Sequence, residues 1–193
     1  MNTLELHYSR FRLNDEEFYE FCQQNNDLKL ERDANGTILI MPNTGGKTGK
    51  RNAEIIFQLI SWNKREKTGE IFDSSTAFRL PTTAVRSADG AFVSRERWEA
   101  LTEQEQEQFP PLCPDFVIEL MSKSDSLKEA KAKMLTDWME NGCRLGWLID
   151  PFNQTTHIYR ADGSIEIKRG FDTTLSGEDV LPGFQFDLTE LKA

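Results

Sequence analysis

The chain has 193 residues, 38% hydrophobic and 28% charged, with a formal net charge of −9 at pH 7. That size and balance suit one globular domain, 1–193, with a substantial core, and no apolar run approaches membrane-spanning length. The acidic balance argues against a protein that coats nucleic acid through bulk positive charge, but leaves room for a local basic groove or an acidic cleft that recruits divalent cations.

Met1 to Arg12 lacks the continuous apolar core of a signal peptide. Cys22, Cys113 and Cys143 are odd in number and share no metal-type spacing, so they read as free thiols in a reducing cytoplasm. The two histidines, His7 and His157, lie far apart, and no Ser/His/Asp or HExxH pattern is present.

Asn14, followed by Asp15, Glu16 and Glu17, is a helix start, with a capping side chain and acids near the positive end of the dipole. Phe18, Phe21 and Cys22 form its apolar stripe until Asn25-Asn26. Leu28 to Arg32 and Thr37 to Met41 straddle Asp33-Ala34-Asn35-Gly36 and predict a hairpin, with Glu31 on its first arm. Pro42 to Gly49 reads as a loop into a helix from about Lys50 to Lys67, with Ala53, Ile56, Phe57 and Ile60 as its stripe and Leu59 at the flank. In Gly45-Gly46-Lys47-Thr48-Gly49-Lys50-Arg51 the Gly45-to-Gly49 spacing is one residue short of a P-loop, and Arg51 rather than Ser or Thr follows Lys50.

Ile71 to Leu80 and Ala84 to Val93 read as extended, broken at Pro81. On the second, Val85, Ser87, Asp89, Ala91 and Val93 share a face, although Asp89-Gly90 also permits a plain turn. Arg95 to Gln108 is a polar, helix-prone surface excursion. Pro114 to Ser122 contains a short apolar strand of the kind buried on both faces. Ser124 or Asp125 can then cap a helix from about Leu127 to Asn141, closed by Gly142, with Leu127, Ala130, Met134 and Trp138 as its core stripe. Leu145 to Ile149 is another buried strand. Strand, helix, strand in that order is a βαβ crossover and requires a parallel pair. Thr156 to Arg160 and Ile165 to Arg169 form a hairpin around Asp162-Gly163. Pro182 to Phe186 and a short helix end the chain.

Glu119 is the anomaly within the apolar strand, on one face with Val117 and Met121. A buried carboxylate needs a partner, a proton or a metal. A salt bridge to Arg86 or Lys133 would satisfy it. So would Mg²⁺ held between Glu119 and Asp89, since that ion takes few protein oxygens and completes its shell with water and substrate phosphate. Such an ion binds a scissile phosphate and activates water, while a nearby lysine steadies the developing charge. The candidates are Glu31, Asp89, Glu119 and Lys133. Glu31 could equally be a solvated hairpin residue, and Lys133 an ordinary helix-surface partner of Glu129.

A strand with Asp, then a strand with Glu, then a helix resembles the PD-(D/E)XK nuclease superfamily. Within it the chain is similar to the Uma-type putative restriction endonuclease family. The resembling segments are Leu30-Glu31 with Gly36 and Met41, Gly45 to Gly49, Val85 to Asp89, Pro114 to Ser122, Lys133, Gly146 to Pro151 and Leu175 to Phe184. The resemblance implies an α/β, restriction-endonuclease-like mixed sheet flanked by helices. It implies Asp89 and Glu119 as metal-holding acids for Mg²⁺ or Mn²⁺, Glu31 as an auxiliary acid and DNA as substrate of phosphodiester hydrolysis. Ala88 stands where a proline usually precedes the aspartate, and Met121 where the superfamily lysine falls, which makes Lys133 the substitute on the following helix. The alternative is a non-catalytic nuclease fold that binds DNA or protein. Either could be a homodimer, since cutting both strands of a duplex favours two-fold symmetry.

Overall fold

The computed structural model describes residues 4–6 and 12–192. His7, and most of the stretch from Met1 to Arg12, lie outside them. The first described strand is β1 (Leu4–Leu6), and Asn14 then starts α1 (Asp15–Gln24) through a capping box in which its side chain and that of Glu17 each accept the other's backbone N–H. The expected hairpin is β2 (Lys29–Arg32) and β3 (Ile38–Met41), and Gly36 has φ +85° in the turn between them. Next comes the long helix α2 (Gly46–Glu66). The two runs expected to be extended each divide in two: β4 (Gly69–Asp73) and β5 (Phe78–Arg79), then β6 (Val85–Arg86) and β7 (Gly90–Ser94). The polar excursion holds two short helices, α3 (Arg95–Glu99) and α4 (Glu103–Glu107). After β8 (Phe116–Leu120) comes α5 (Leu127–Lys133), then a π-helical turn (Met134–Trp138) and a 3₁₀ turn (Met139–Asn141). The chain finishes with β9 (Leu145–Asp150), β10 (Thr155–Arg160), β11 (Ile165–Arg169), β12 (Thr174–Ser176), β13 (Gln185–Asp187) and a 3₁₀ turn (Leu188–Leu191).

Six strands form the main sheet in the order β11-β10-β9-β8-β7-β4. β8 and β9 are parallel, as a crossover through α5 demands, and the other neighbours are antiparallel. A second sheet runs β1-β3-β2-β6-β5, and β12 with β13 makes a small third one. The alternation of β8 sets the layers. Phe116, Ile118 and Leu120 pack with Ile55, Leu59 and Trp62 of α2 on one face. Val117 and Met121 pack with Met134 and Trp138 on the other. Phe18 joins Leu30 and Val85 in a separate cluster under the second sheet.

Several expectations need correction. α2 begins at Gly46, not Lys50, so most of the glycine-rich segment is helix. Its buried row is Arg51, Ile55, Leu59 and Trp62, while Ala53, Phe57 and Ile60 are exposed. Two apolar rows run along this helix, and the true one is disguised by Arg51, whose guanidinium donates to the Leu191 carbonyl. The cap of α5 is Ser126, which accepts the Glu129 N–H. Leu127 stands at the edge of exposure, outside the expected core stripe.

Asp89 lies just outside β7 rather than within a strand, and Gly90 is not a turn glycine. A Cβ at Gly90 would stand 3.1 Å from both Ile55 Cγ2 and Leu59 Cδ1. The glycine is there because α2 lies against the strand. Gly90→Ala should therefore cost about 1–3 kcal/mol through overpacking, read as a lower urea midpoint. An unchanged midpoint would show that α2 is not seated on this position.

Candidate active site

Glu119 sits on β8 between Val117 and Met121, on the face covered by α5 and the turns after it. Its Oε1 accepts from Lys133 Nζ at 2.8 Å and from Trp138 Nε1 at 2.7 Å. Oε2 takes no hydrogen bond from any described residue. Lys133 and Trp138 are five residues apart, which on an α-helix would separate them by about 140°. The π turn brings them together: Met139 N–H bonds to the Met134 carbonyl five residues back, as well as to Leu135. Trp138 is therefore more than the packing residue its apolar spacing implies.

Asp89 lies beside the strand of Glu119, just before β7. Gly90 pairs with Ile118, but Asp89 N–H also donates to the Ile118 carbonyl, at 3.0 Å. Two consecutive residues thus face one, in the manner of a β-bulge. The Asp89 side chain takes over where the ladder stops, with Oδ2 accepting the Leu120 N–H at 2.8 Å. Leu120 directly follows Glu119. The other oxygen, Oδ1, accepts from Asn52 Nδ2 of α2 at 3.1 Å.

Glu31 is on β2 of the second sheet and is 2% exposed, so it is no solvated hairpin residue. It accepts from Arg86 Nη1 at 3.1 Å and from the Ser87 N–H at 3.2 Å. Arg86 does not reach Glu119. It bridges Glu31 to Asp137 of the π turn, with Nε 2.8 Å from Asp137 Oδ2. Lys133 Nζ also donates to the Ser87 carbonyl at 3.3 Å, and no ion pair to Glu129 forms. The Ser87 peptide region thus ties Glu31 to Lys133, and Lys133 to Glu119.

All four sequence candidates therefore belong to one locus, where Glu31, Asp89, Glu119 and Asp137 face Arg86 and Lys133. Burial, and then the charge of Asp89, push the Glu119 carboxyl up to about 7, against the pull of Lys133. Burial likewise raises Asp89, despite the Leu120 and Asn52 donors and the Lys133 charge. Glu31 is also desolvated, but Lys133, Arg86, Lys29 and the Ser87 N–H outweigh this and hold it below the usual range. Desolvation pulls Lys133 down; Glu119 and Glu31 more than offset it and hold the ammonium above its ordinary value.

The donor set fits a hard divalent cation. Two neighbouring carboxyls tend to retain a proton, which a cation could displace, and Glu119 Oε2 is uncommitted. Among the described residues no group of three or more His, Cys, Asp or Glu could hold a metal, so a cation here would take most of its shell from water and substrate.

Residues 15–189 match the model of the Uma2 family, described as "Putative restriction endonuclease". The chain belongs to the Uma2 family. Its fold resembles that in a crystal structure of "a putative nuclease belonging to DUF820" from Anabaena variabilis. The two are 21% identical with a TM-score of 0.71, over 84% of this chain and 88% of that one. No match was found among curated proteins. At that identity the likeness establishes the restriction-endonuclease-like architecture and nothing finer. No helix among the described residues is long and apolar enough to cross a membrane.

Asn52, Trp138 and Asp137 were not among the sequence candidates. Asn52 was concealed by the misplaced stripe of α2, and Trp138 by a helix that is not α throughout.

Proposed function

We propose that this Uma2 protein is a divalent-cation-dependent endonuclease that hydrolyses DNA phosphodiester bonds with water as nucleophile. The reading is supported by Asp89 lying next to the strand of Glu119, its carboxylate accepting the N–H of the following Leu120, and by Lys133 contacting Glu119.

Asp89 and Glu119 would hold the cation. When bound, Mg²⁺ or Mn²⁺ supplies Lewis acidity at a phosphoryl oxygen and lowers the pKa of a water. Lys133 fixes the Glu119 carboxylate with Trp138 and favours its ionised form. It also sets a positive charge where phosphorane charge would develop. Glu31, held ionised, anchors Arg86 and adds negative charge as an auxiliary acid.

The test is incubation of purified protein with supercoiled and linear DNA, with Mg²⁺, with Mn²⁺ and with chelator. Nicking or cutting that needs the cation supports the reading. No cleavage, together with no calorimetric signal for Mn²⁺, would favour a non-catalytic DNA- or protein-binding role.

A further inference from the structure

We propose that Asn52 is a positioning residue for the cation site, acting through Asp89; the inference rests on Asp89 being a ligand. Asn52 lies on α2, beside the buried row of Arg51, Ile55 and Leu59, where a leucine would pack without polar cost. Its amide instead donates from Nδ2 to Asp89 Oδ1 at 3.1 Å, while its Oδ1 is enclosed and takes no hydrogen bond. An enclosed carbonyl without a partner is destabilising, so the amide is retained at a cost for the bond its other end makes.

The two acids are held in contrasting ways. Glu119 is gripped by a cation, Lys133, and by the indole N–H of Trp138. Asp89 is held by two neutral donors, the Leu120 N–H on Oδ2 and Asn52 on Oδ1. Neutral N–H groups fix a carboxylate's orientation without cancelling its charge. A lysine or arginine at position 52 would fix it equally well but would compete with the metal. Each Asp89 oxygen keeps a lone pair, and the carboxylate keeps its full attraction for an ion. Partners one step removed from a metal act in this way elsewhere, and their loss weakens affinity about 10–100-fold.

Asn63 provides a matched control on the same helix. Its Nδ2 donates to the Gly69 carbonyl at 2.7 Å and its Oδ1 is likewise enclosed without a partner, but its bond goes to backbone. The experiment is Mn²⁺ titration by calorimetry and by Mn²⁺ electron paramagnetic resonance, on the full chain, well below each variant's unfolding temperature. Asn52→Leu and Asn52→Ala should weaken Mn²⁺ binding about 10–100-fold and alter the resonance of the bound ion. Asn63→Leu should lower the urea midpoint and leave Mn²⁺ affinity within about twofold, which a merely structural role for Asn52 would also predict for its own variants. Wild-type affinity in both Asn52 variants would overturn the assignment while leaving the cation site standing. No Mn²⁺ binding by the wild-type protein would overturn the cation site, and the assignment with it.

Discussion

Glu119→Gln should abolish measurable Mn²⁺ binding and lower cation-dependent DNA cleavage by at least about 100-fold. The substitution preserves volume, and the remaining side-chain oxygen can still accept from Trp138 and Lys133. What disappears is the anionic charge and the uncommitted oxygen. Loss of one of two protein ligands removes several kcal/mol of charge stabilisation at the phosphoryl group, and about 2.7 kcal/mol is already two orders of magnitude. Folding should also lose stability at pH 7, because Lys133 loses its nearest counter-charge and keeps only Glu31 beyond it. Because burial and then Asp89 push the carboxyl up to about 7, that loss should shrink as pH falls and the wild-type glutamate itself takes up a proton. Retained Mn²⁺ affinity in a folded Glu119→Gln protein would remove Glu119 from the site.

Lys133→Met should have the largest effect on stability, and the effect should depend on pH. Removing one member of a buried ion pair typically costs about 3–5 kcal/mol, because the other charge is left uncompensated. Here Glu119 loses its partner and Glu31 and Asp89 lose a nearby positive charge. Glu119, however, can take up a proton. With burial no longer opposed by the ammonium, its folded pKa rises further above the ordinary value of 4.5. A carboxyl raised in this way binds its proton more tightly folded than unfolded. The folded state is thus favoured below the unfolded value and loses that advantage as pH rises through the folded one. Urea unfolding of Lys133→Met should show the full loss at pH 8 and a much smaller loss at pH 5. Equal losses at both would mean that Lys133 contributes packing alone.

The parts of the fold that could be read from the chain were those with one physical solution. Asn14 with Glu17 makes a capping box, Asp33 to Gly36 closes a hairpin, and the β8–α5–β9 segment forces a parallel pair. The faces of β8 were legible for the same reason: a period of two leaves Glu119 with Val117 and Met121 and nowhere else. α2 was misjudged because its apolar residues occupy more than one row, and packing chose the row interrupted by Arg51. The short pairings of β1 and β12 were missed because three-residue strands carry no periodicity to detect.

At the candidate site, the sequence pointed to residues that lie near one another in space, but not to their connectivity. Glu31, Asp89, Glu119 and Lys133 were all named, but Arg86 was a possible partner for Glu119 and in fact serves Glu31 and Asp137. Long side chains choose among several buried acids by local geometry, which spacing in sequence does not encode. Asp-Gly read equally well as a turn. Only the contact of Ile55 and Leu59 with the Gly90 backbone shows why the glycine is needed.

The wide helical turn after Lys133 makes the grip on Glu119 a matter of counting. Regular α winding over the same number of residues would swing the indole about 140° from the lysine, with every polar group still encoded. A segment one residue shorter would keep both groups on one side with regular winding, at the i, i+4 spacing.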